Sequence, residues 1–176
     1  MNETRQPEIA SLRSSTLCEA FQVTAAQRPE QVALRTLGGA TEITYAEFLK
    51  QVQALAEGLH SLGVGRGDTV ALMLTNRPEF SLADTAVMHL GATAFSVYNT
   101  SSAEQANHLF RNAGNRIVVT ERQFLPRVLE SRTPEIEHIV LVDGADAGTM
   151  TLQDLARLRT PGFDFDAAWR AVQPDD

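Results

Sequence analysis

The fold is decided by three neighbouring pieces of sequence: D-T-V-A-L-M-L-T-N-R-P-E-F at Asp68–Phe80, M-H-L-G-A-T-A-F-S-V-Y-N-T-S-S-A-E-Q at Met88–Gln105, and R-N-A-G-N-R-I-V-V-T at Arg111–Thr120. Within them Val70–Leu74, Thr93–Val97 and Ile117–Val119 are short, apolar or β-branched, and do not alternate with polar residues. Strands covered on both faces have that composition. Polar residues that can cap a helix follow each strand: Asn76 three before Glu79, Ser101 three before Glu104, Thr120 three before Gln123. In such a pair the first side chain accepts from an orphan N–H of the opening turn, and the third residue reaches back. The two crossover helices then meet Gly91 and Gly114, residues suited to a left-handed stop. Strand, helix, strand, helix, strand is the reading, a parallel α/β unit.

Outward from this unit, Thr16-x-x-Glu19 opens a helix with Leu17, Phe21 and Thr24 or Ala25 on its apolar side, stopped at Pro29. Gln31–Leu37 and Glu42–Thr44, split by Gly38-Gly39, read as a hairpin. Thr44-x-x-Glu47 caps a long helix whose Phe48, Val52, Leu55, Leu59 and Leu62 share one face, ending at Gly63. A helix over Glu121–Glu130 is broken near its middle by Pro126. His138–Asp143 is a further strand, Thr151–Leu158 a short helix, and a turn or two of helix surrounds Phe165 and Trp169. Residues 1–15 are expected to be a loose lead-in and 16–176 one layered α/β/α domain with a mainly parallel sheet.

The chain has 176 residues, net charge −7 and 43% apolar residues, enough for a sizeable core. The acidic balance and the absence of a basic stripe argue against nucleic acid as a partner. No apolar run is long enough to span a bilayer, and the start of the chain lacks the basic and apolar regions of a signal peptide, so a cytoplasmic location is expected. Cys18, the single cysteine, forms no internal disulfide and is expected to be buried. Lys50 is the single lysine and sits on the long helix, away from the strand ends where α/β proteins place their sites.

The glycines of Gly63-Val-Gly-Arg-Gly-Asp68 invite a phosphate-loop reading. A phosphate cradle needs a strand before it and a helix N-terminus after it. Here the order is helix then strand, so the segment reads as a tight turn. His60, His89, His108 and His138 lack metal-ligand spacing, and Asp143 and Asp146 read as turn residues. The strand ends that could meet a ligand are Asn76-Arg77, Tyr98–Ser102, Thr120-Glu121 and Asp143-Gly144. Tyr98–Ser102 is the richest in hydrogen-bonding groups. A phospho-acceptor receiver domain would need an acidic cluster and a lysine at these ends, which the sequence does not offer.

In order along the chain, T-L-C-E-A-F (16–21), R-P-E-Q-V-A-L-R (28–35), I-T-Y-A-E-F-L-K (43–50), G-V-G-R-G-D-T-V-A-L-M-L-T-N-R-P-E-F (63–80), Y-N-T-S-S-A-E-Q (98–105) and N-R-I-V-V-T-E (115–121) resemble the N-terminal part of an adenylate-forming enzyme of the acyl-CoA synthetase (AMP-binding) superfamily. The resemblance runs from about Leu17 to Val142, and Y-N-T-S-S-A-E-Q is most similar to the branch acting on long-chain fatty acids. It implies, for the parent enzyme, a fatty acid–CoA ligase: a carboxylate attacks the α-phosphate of ATP to give acyl-adenylate and pyrophosphate, and CoA thiol then displaces AMP, with Mg²⁺ screening the phosphates. The Ser/Thr/Gly-rich loop ending P-K-G, the aromatic-Gly-x-Thr-Glu motif, the ribose-binding aspartate and the C-terminal lysine of that family have no counterpart in these residues. No catalytic, cofactor-binding or metal residue is therefore assigned. The chain is expected to be an inactive fragment that binds no cofactor itself, with ATP, Mg²⁺ and CoA belonging to the parent. The remainder of the parent chain is its expected partner, and an uncovered apolar face is expected to drive self-association. The alternative is a freestanding α/β binding or interaction module.

Overall fold

A computed structural model describes residues 10–176. Nine residues of the expected lead-in lie outside the described residues; the rest includes a 3-10 turn at Ala10–Arg13. Helix α1 is Leu17–Gln27, and strands β1 (Val32–Arg35) and β2 (Glu42–Thr44) form the antiparallel hairpin. Helix α2 (Tyr45–Ser61) leads to β3 (Thr69–Met73), α3 (Pro78–Met88), β4 (Thr93–Ser96), α4 (Ala103–Ala113) and β5 (Ile117–Thr120). A 3-10 turn at Arg122–Phe124, α5 (Leu125–Glu130), β6 (His138–Leu141), β7 (Met150–Thr151), α6 (Leu152–Leu155) and α7 (Phe165–Arg170) complete it.

The main sheet is wholly parallel, in the order β4-β3-β5-β6-β7. Its inner strands are buried on both faces, and alternate residues feed two cores. Val70, Leu72, Ile117, Val119 and Val140 point into the core under α2 and α3. Ala71, Met73, Val118, Ile139 and Leu141 point into the core under α4 and α5, around the fully buried Phe110. The three layers are thus fixed by uninterrupted apolar strands that have no polar side to turn to water. Two helices approach closely at one glycine: a Cβ at Gly58 of α2 would overlap the Leu155 carbonyl of α6.

Local chemistry explains most boundaries. Thr16 caps α1, accepting from the Glu19 N–H at 3.1 Å, and Thr44 and Glu47 form a full capping box at α2. Gly114 ends α4 in the left-handed conformation, its N–H on the Phe110 carbonyl. Gly91 is also left-handed, two residues beyond His89, the residue that closes α3. The Gly63–Asp68 segment is the helix-to-strand turn, with Asp68 Oδ2 accepting from the Gly65 N–H at 2.8 Å.

Several expectations are corrected. Asn76 does not cap α3. The residue before a proline is pushed to extended backbone, so Arg77 (φ −141°, ψ 158°) becomes the N-cap, without a side-chain cap bond, and Pro78 takes the first turn. The box at α4 is Ser102 with Gln105, one residue on from Ser101 and Glu104. Thr120 is buried and donates its hydroxyl to the Met73 carbonyl at 2.9 Å, so it caps nothing. The expected helix over Glu121–Glu130 is a 3-10 turn followed by α5, with Pro126 in its opening turn. On α1, Leu17 is 73% exposed, while Cys18 and Ala25 face inward. Among the described residues the large exposed apolar side chains are Leu12, Leu17, Leu37, Tyr98 and Leu129, spread over separate elements.

Candidate functional site

Strand β4 lies on one side of β3 and β5 on the other, so the crossovers leaving β3 and β4 run in opposite directions and the sheet has its topological switch point between β3 and β5. Open α/β sheets bind ligands in the crevice beyond the carboxyl ends of such a pair. Here that crevice is filled by a side chain. Glu121, the residue after β5, is 4% exposed. Its Oε1 accepts from the Thr75 N–H (2.5 Å) and the Thr75 hydroxyl (2.7 Å). Its Oε2 accepts from Gln123 Nε2 (2.9 Å) and lies 3.3 Å from the Arg77 guanidinium. Arg77 in turn grips Glu79 through two contacts, Nε at 2.7 Å and a terminal nitrogen at 3.1 Å.

Burial works against the charged form of Glu121, but the Thr75 N–H and hydroxyl, the Gln123 amide and Arg77 outweigh it and hold its carboxyl below the usual carboxylate range. Glu79 shows the same balance, with burial opposed by the Arg77 hydrogen bonds. The Glu79 bonds push the Arg77 guanidinium upward. This network of charge-assisted bonds welds the β3–α3 turn to the end of β5. A nucleotide phosphate at this crevice would need the donors that Glu121 already uses, and would stand beside Glu79 as well. The donor set does not fit ATP, and no step through ATP, Mg²⁺ or CoA follows from these residues.

The sequence places Arg77 and Glu121 at strand ends without joining them, offers Glu79 and Gln123 only as helix-cap partners of Asn76 and Thr120, and gives no role to Thr75. The one usable signal is a carboxylate just beyond the apolar run Ile117–Val119, where a buried partner is needed. Of the other strand ends, Tyr98 is 78% exposed, Ser101 is buried with its N–H on the Tyr98 carbonyl, and the Asn99 carbonyl accepts from Arg127. Asp143 accepts from the Arg122 N–H and Asp146 closes its own turn with Ala147 and Thr149, as turn residues do. Lys50 lines a groove of about 870 Å³ between α2, the hairpin, α3 and α6, floored by Leu55, Leu82 and Val142.

His89 is fully buried. Its Nδ1 is 2.7 Å from the Thr85 carbonyl and its Nε2 3.0 Å from Gln22 of α1, which requires a neutral ring with the proton on Nδ1 if Gln22 donates. The ring stacks on Phe165 and takes the edge of Phe21, so it ties α1, α3 and α7 together. Burial lowers its pKa, against the Thr85 bond. Cys18 is buried and donates to the Met88 carbonyl; burial pushes its thiol up to about 11. Among the described residues no group of three or more His, Cys, Asp or Glu is arranged to hold a metal ion, and no helix is long and apolar enough to cross a membrane.

Comparison with known proteins places these observations. The profile of the AMP-binding enzyme family matches residues 21–175. An uncharacterized protein of Mycobacterium tuberculosis is 53% identical over 133 residues, covering 76% of this chain and 75% of that one. A long-chain-fatty-acid–CoA ligase of Mycobacterium bovis is 30% identical over 131 residues, covering 73% of this chain. This chain spans only 21% of that ligase. Among solved structures, an anthranilate CoA ligase in complex with anthranoyl-AMP superposes with a TM-score of 0.75 at 22% identity, over 84% of this chain and 29% of that one. That likeness is one of fold.

Proposed function

This chain belongs to the family of AMP-binding enzymes, and from that premise we propose that it is the N-terminal scaffold of an AMP-forming acyl-CoA ligase. In this reading residues 16–176 form one unit that carries the sheet, and the adenylating and thiol-transferring groups are supplied by other residues. The observation that carries the reading is the Glu121 carboxylate seated on Thr75 and Arg77 at the switch point. The crevice where an α/β sheet would take a phosphate is used to brace the fold.

The acid handled by the complete enzyme is proposed to be a long-chain fatty acid, and the place of action the cytoplasm. The support is the Mycobacterium bovis relative, whose name gives that substrate, together with Y-N-T-S-S-A-E-Q at Tyr98–Gln105. The test is pyrophosphate release by the purified chain with ATP, Mg²⁺ and either a long-chain or an aromatic acid. No release is expected from the chain alone. Turnover that scales with its concentration overturns the scaffold reading. A chimera carrying residues 16–142 in place of the matching segment of the Mycobacterium bovis ligase should form acyl-CoA from long-chain acids; a folded but inactive chimera counts against the same reading.

A second reading, a binding or interaction module that performs no catalysis, has one observation in its favour. The alignment with the Mycobacterium tuberculosis protein spans three-quarters of each chain, so a protein of comparable size carries the same unit.

A further inference from the structure

The two edges of the main sheet are built differently. At one, β7 offers only Met150–Thr151. At the other, β4 is followed by extended chain to Val97, and no strand among the described residues pairs with its outer side. The Thr93 and Val97 N–H groups donate inward, to the Asp68 and Leu72 carbonyls, both at 2.9 Å. With a strand's period of two, Thr93, Phe95 and Val97 serve β3, and the backbone groups of Ala94, Ser96 and Tyr98 face outward. The Tyr98 carbonyl is taken by the Ser101 N–H. Among the described residues nothing takes the outer N–H and C=O of Ala94 and Ser96 or the N–H of Tyr98.

Natural edge strands are blunted by charge, proline or a bulge. T-A-F-S-V-Y at Thr93–Tyr98 has none of these, and four of the six residues are β-branched or aromatic. A hollow borders the edge on each face of the sheet: about 350 Å³ on the α3 side, with Asn76 and Phe80, and about 850 Å³ on the α4 side, with His108 and Leu109. Ser96 and Tyr98 line both.

We propose that this edge is a dimer interface, pairing antiparallel with the same edge of a second copy about a twofold axis at Ser96 to give one continuous sheet. In that register the two Ser96 residues exchange both backbone hydrogen bonds, and each Tyr98 N–H donates to the Ala94 carbonyl opposite. The edge is complementary to itself there: large Tyr98, 78% exposed, meets small Ala94, and Thr93–Tyr98 carries no charge that a twofold axis would set against its own kind. A second copy is therefore the occupant this edge fits, and the inference is independent of whether the chain takes part in catalysis.

The test uses the full 176-residue chain. Light scattering should give twice the 19.2 kDa mass of one chain. Ser96→Lys sets two ammonium groups face to face at the axis; Ser96 is exposed, so this variant should keep the native circular dichroism and lose the dimer. Ser96→Cys should give a disulfide-linked dimer on mild oxidation, because directly paired residues in such a ladder have Cα atoms about 5.5 Å apart, within disulfide reach. Cys18 is buried and does not compete. Leu129→Cys, on α5, is the control and should cross-link only at the collisional rate. A monomer at the highest soluble concentration overturns the proposal, as does a dimer that Ser96→Lys leaves intact, cross-linking of Ser96→Cys no faster than the control, or capture of an unrelated strand at this edge in place of a second copy.

Discussion

Glu121→Gln keeps the shape of a buried side chain and removes its charge. One amide oxygen can still accept from the Thr75 N–H and hydroxyl, but the NH₂ then faces Gln123 Nε2 and the Arg77 guanidinium, donor against donor. A hydrogen bond to a charged group contributes about 1.5–3 kcal/mol. Breaking a fully buried ion pair costs about 3–5 kcal/mol, but the Arg77 side chain is 24% exposed and keeps its grip on Glu79, so the cost falls below that range. We expect a loss of about 2–3 kcal/mol at pH 7, or about 5–10 °C in Tm for a chain of this size. Urea denaturation of both proteins across pH measures it. Because the folded carboxyl of Glu121 is held below its ordinary range, its contribution is whole above the unfolded value of about 4.3 and is lost as pH falls through the folded value. There the protonated side chain resembles glutamine and the two stability curves converge. Glu79 titrates in both proteins and largely cancels. A difference under about 0.5 kcal/mol at pH 7, or one that stays constant down to acid unfolding, refutes the reasoning.

Gly58→Ala tests the sign of a packing effect: propensity alone favours alanine in a helix by about 1 kcal/mol, yet overlap with the Leu155 carbonyl should leave a net loss of about 1–3 kcal/mol, read by denaturation. Burial lowers the pKa of His89, so the unfolded chain takes the proton first, and its stabilising contribution should decline as pH falls below about 6.5 toward the folded value. His89→Gln should remove that slope, while Asp84, pushed up by burial and of opposite sign, cancels in the comparison. Cys18, with its thiol near 11 and no exposed surface, should resist a thiol reagent at pH 8 in the native chain and react fully once denatured.

The fold was legible because apolar runs such as Val70–Leu74 and Ile117–Val119 leave few alternatives to a doubly covered parallel strand. Helix starts were less legible, for physical reasons that differ by position. Ser101 and Ser102 each have a suitable residue three positions later, and only the turn that spends the Ser101 N–H on Tyr98 selects the second. At Asn76 the steric demand of Pro78 on Arg77 overrides a good capping pair. At Thr120 a carbonyl on the neighbouring strand competes successfully for the hydroxyl. The strand-end network was the least legible part. Arg77 and Glu121 lie far apart in sequence, and only the pairing of Met73 with Thr120 brings the residues beyond them together.

Strand order also governs how the chain can assemble as it is synthesised. Strand β3 lies inside the sheet, next to its edge, but is made before either of its neighbours. Its first partner, β4, closes one side, and the other stays open until Ile117–Thr120 has emerged; β5, β6 and β7 then add one after another on that side. Each new strand covers the edge left by the one before and exposes its own. Unpaired edges invite aggregation, and between the emergence of β4 and that of β5 the open edge belongs to β3. The helix that fills this interval is α4, which carries its own capping box and glycine stop, so the intervening segment has a local structure to adopt before its sheet is ready to receive it.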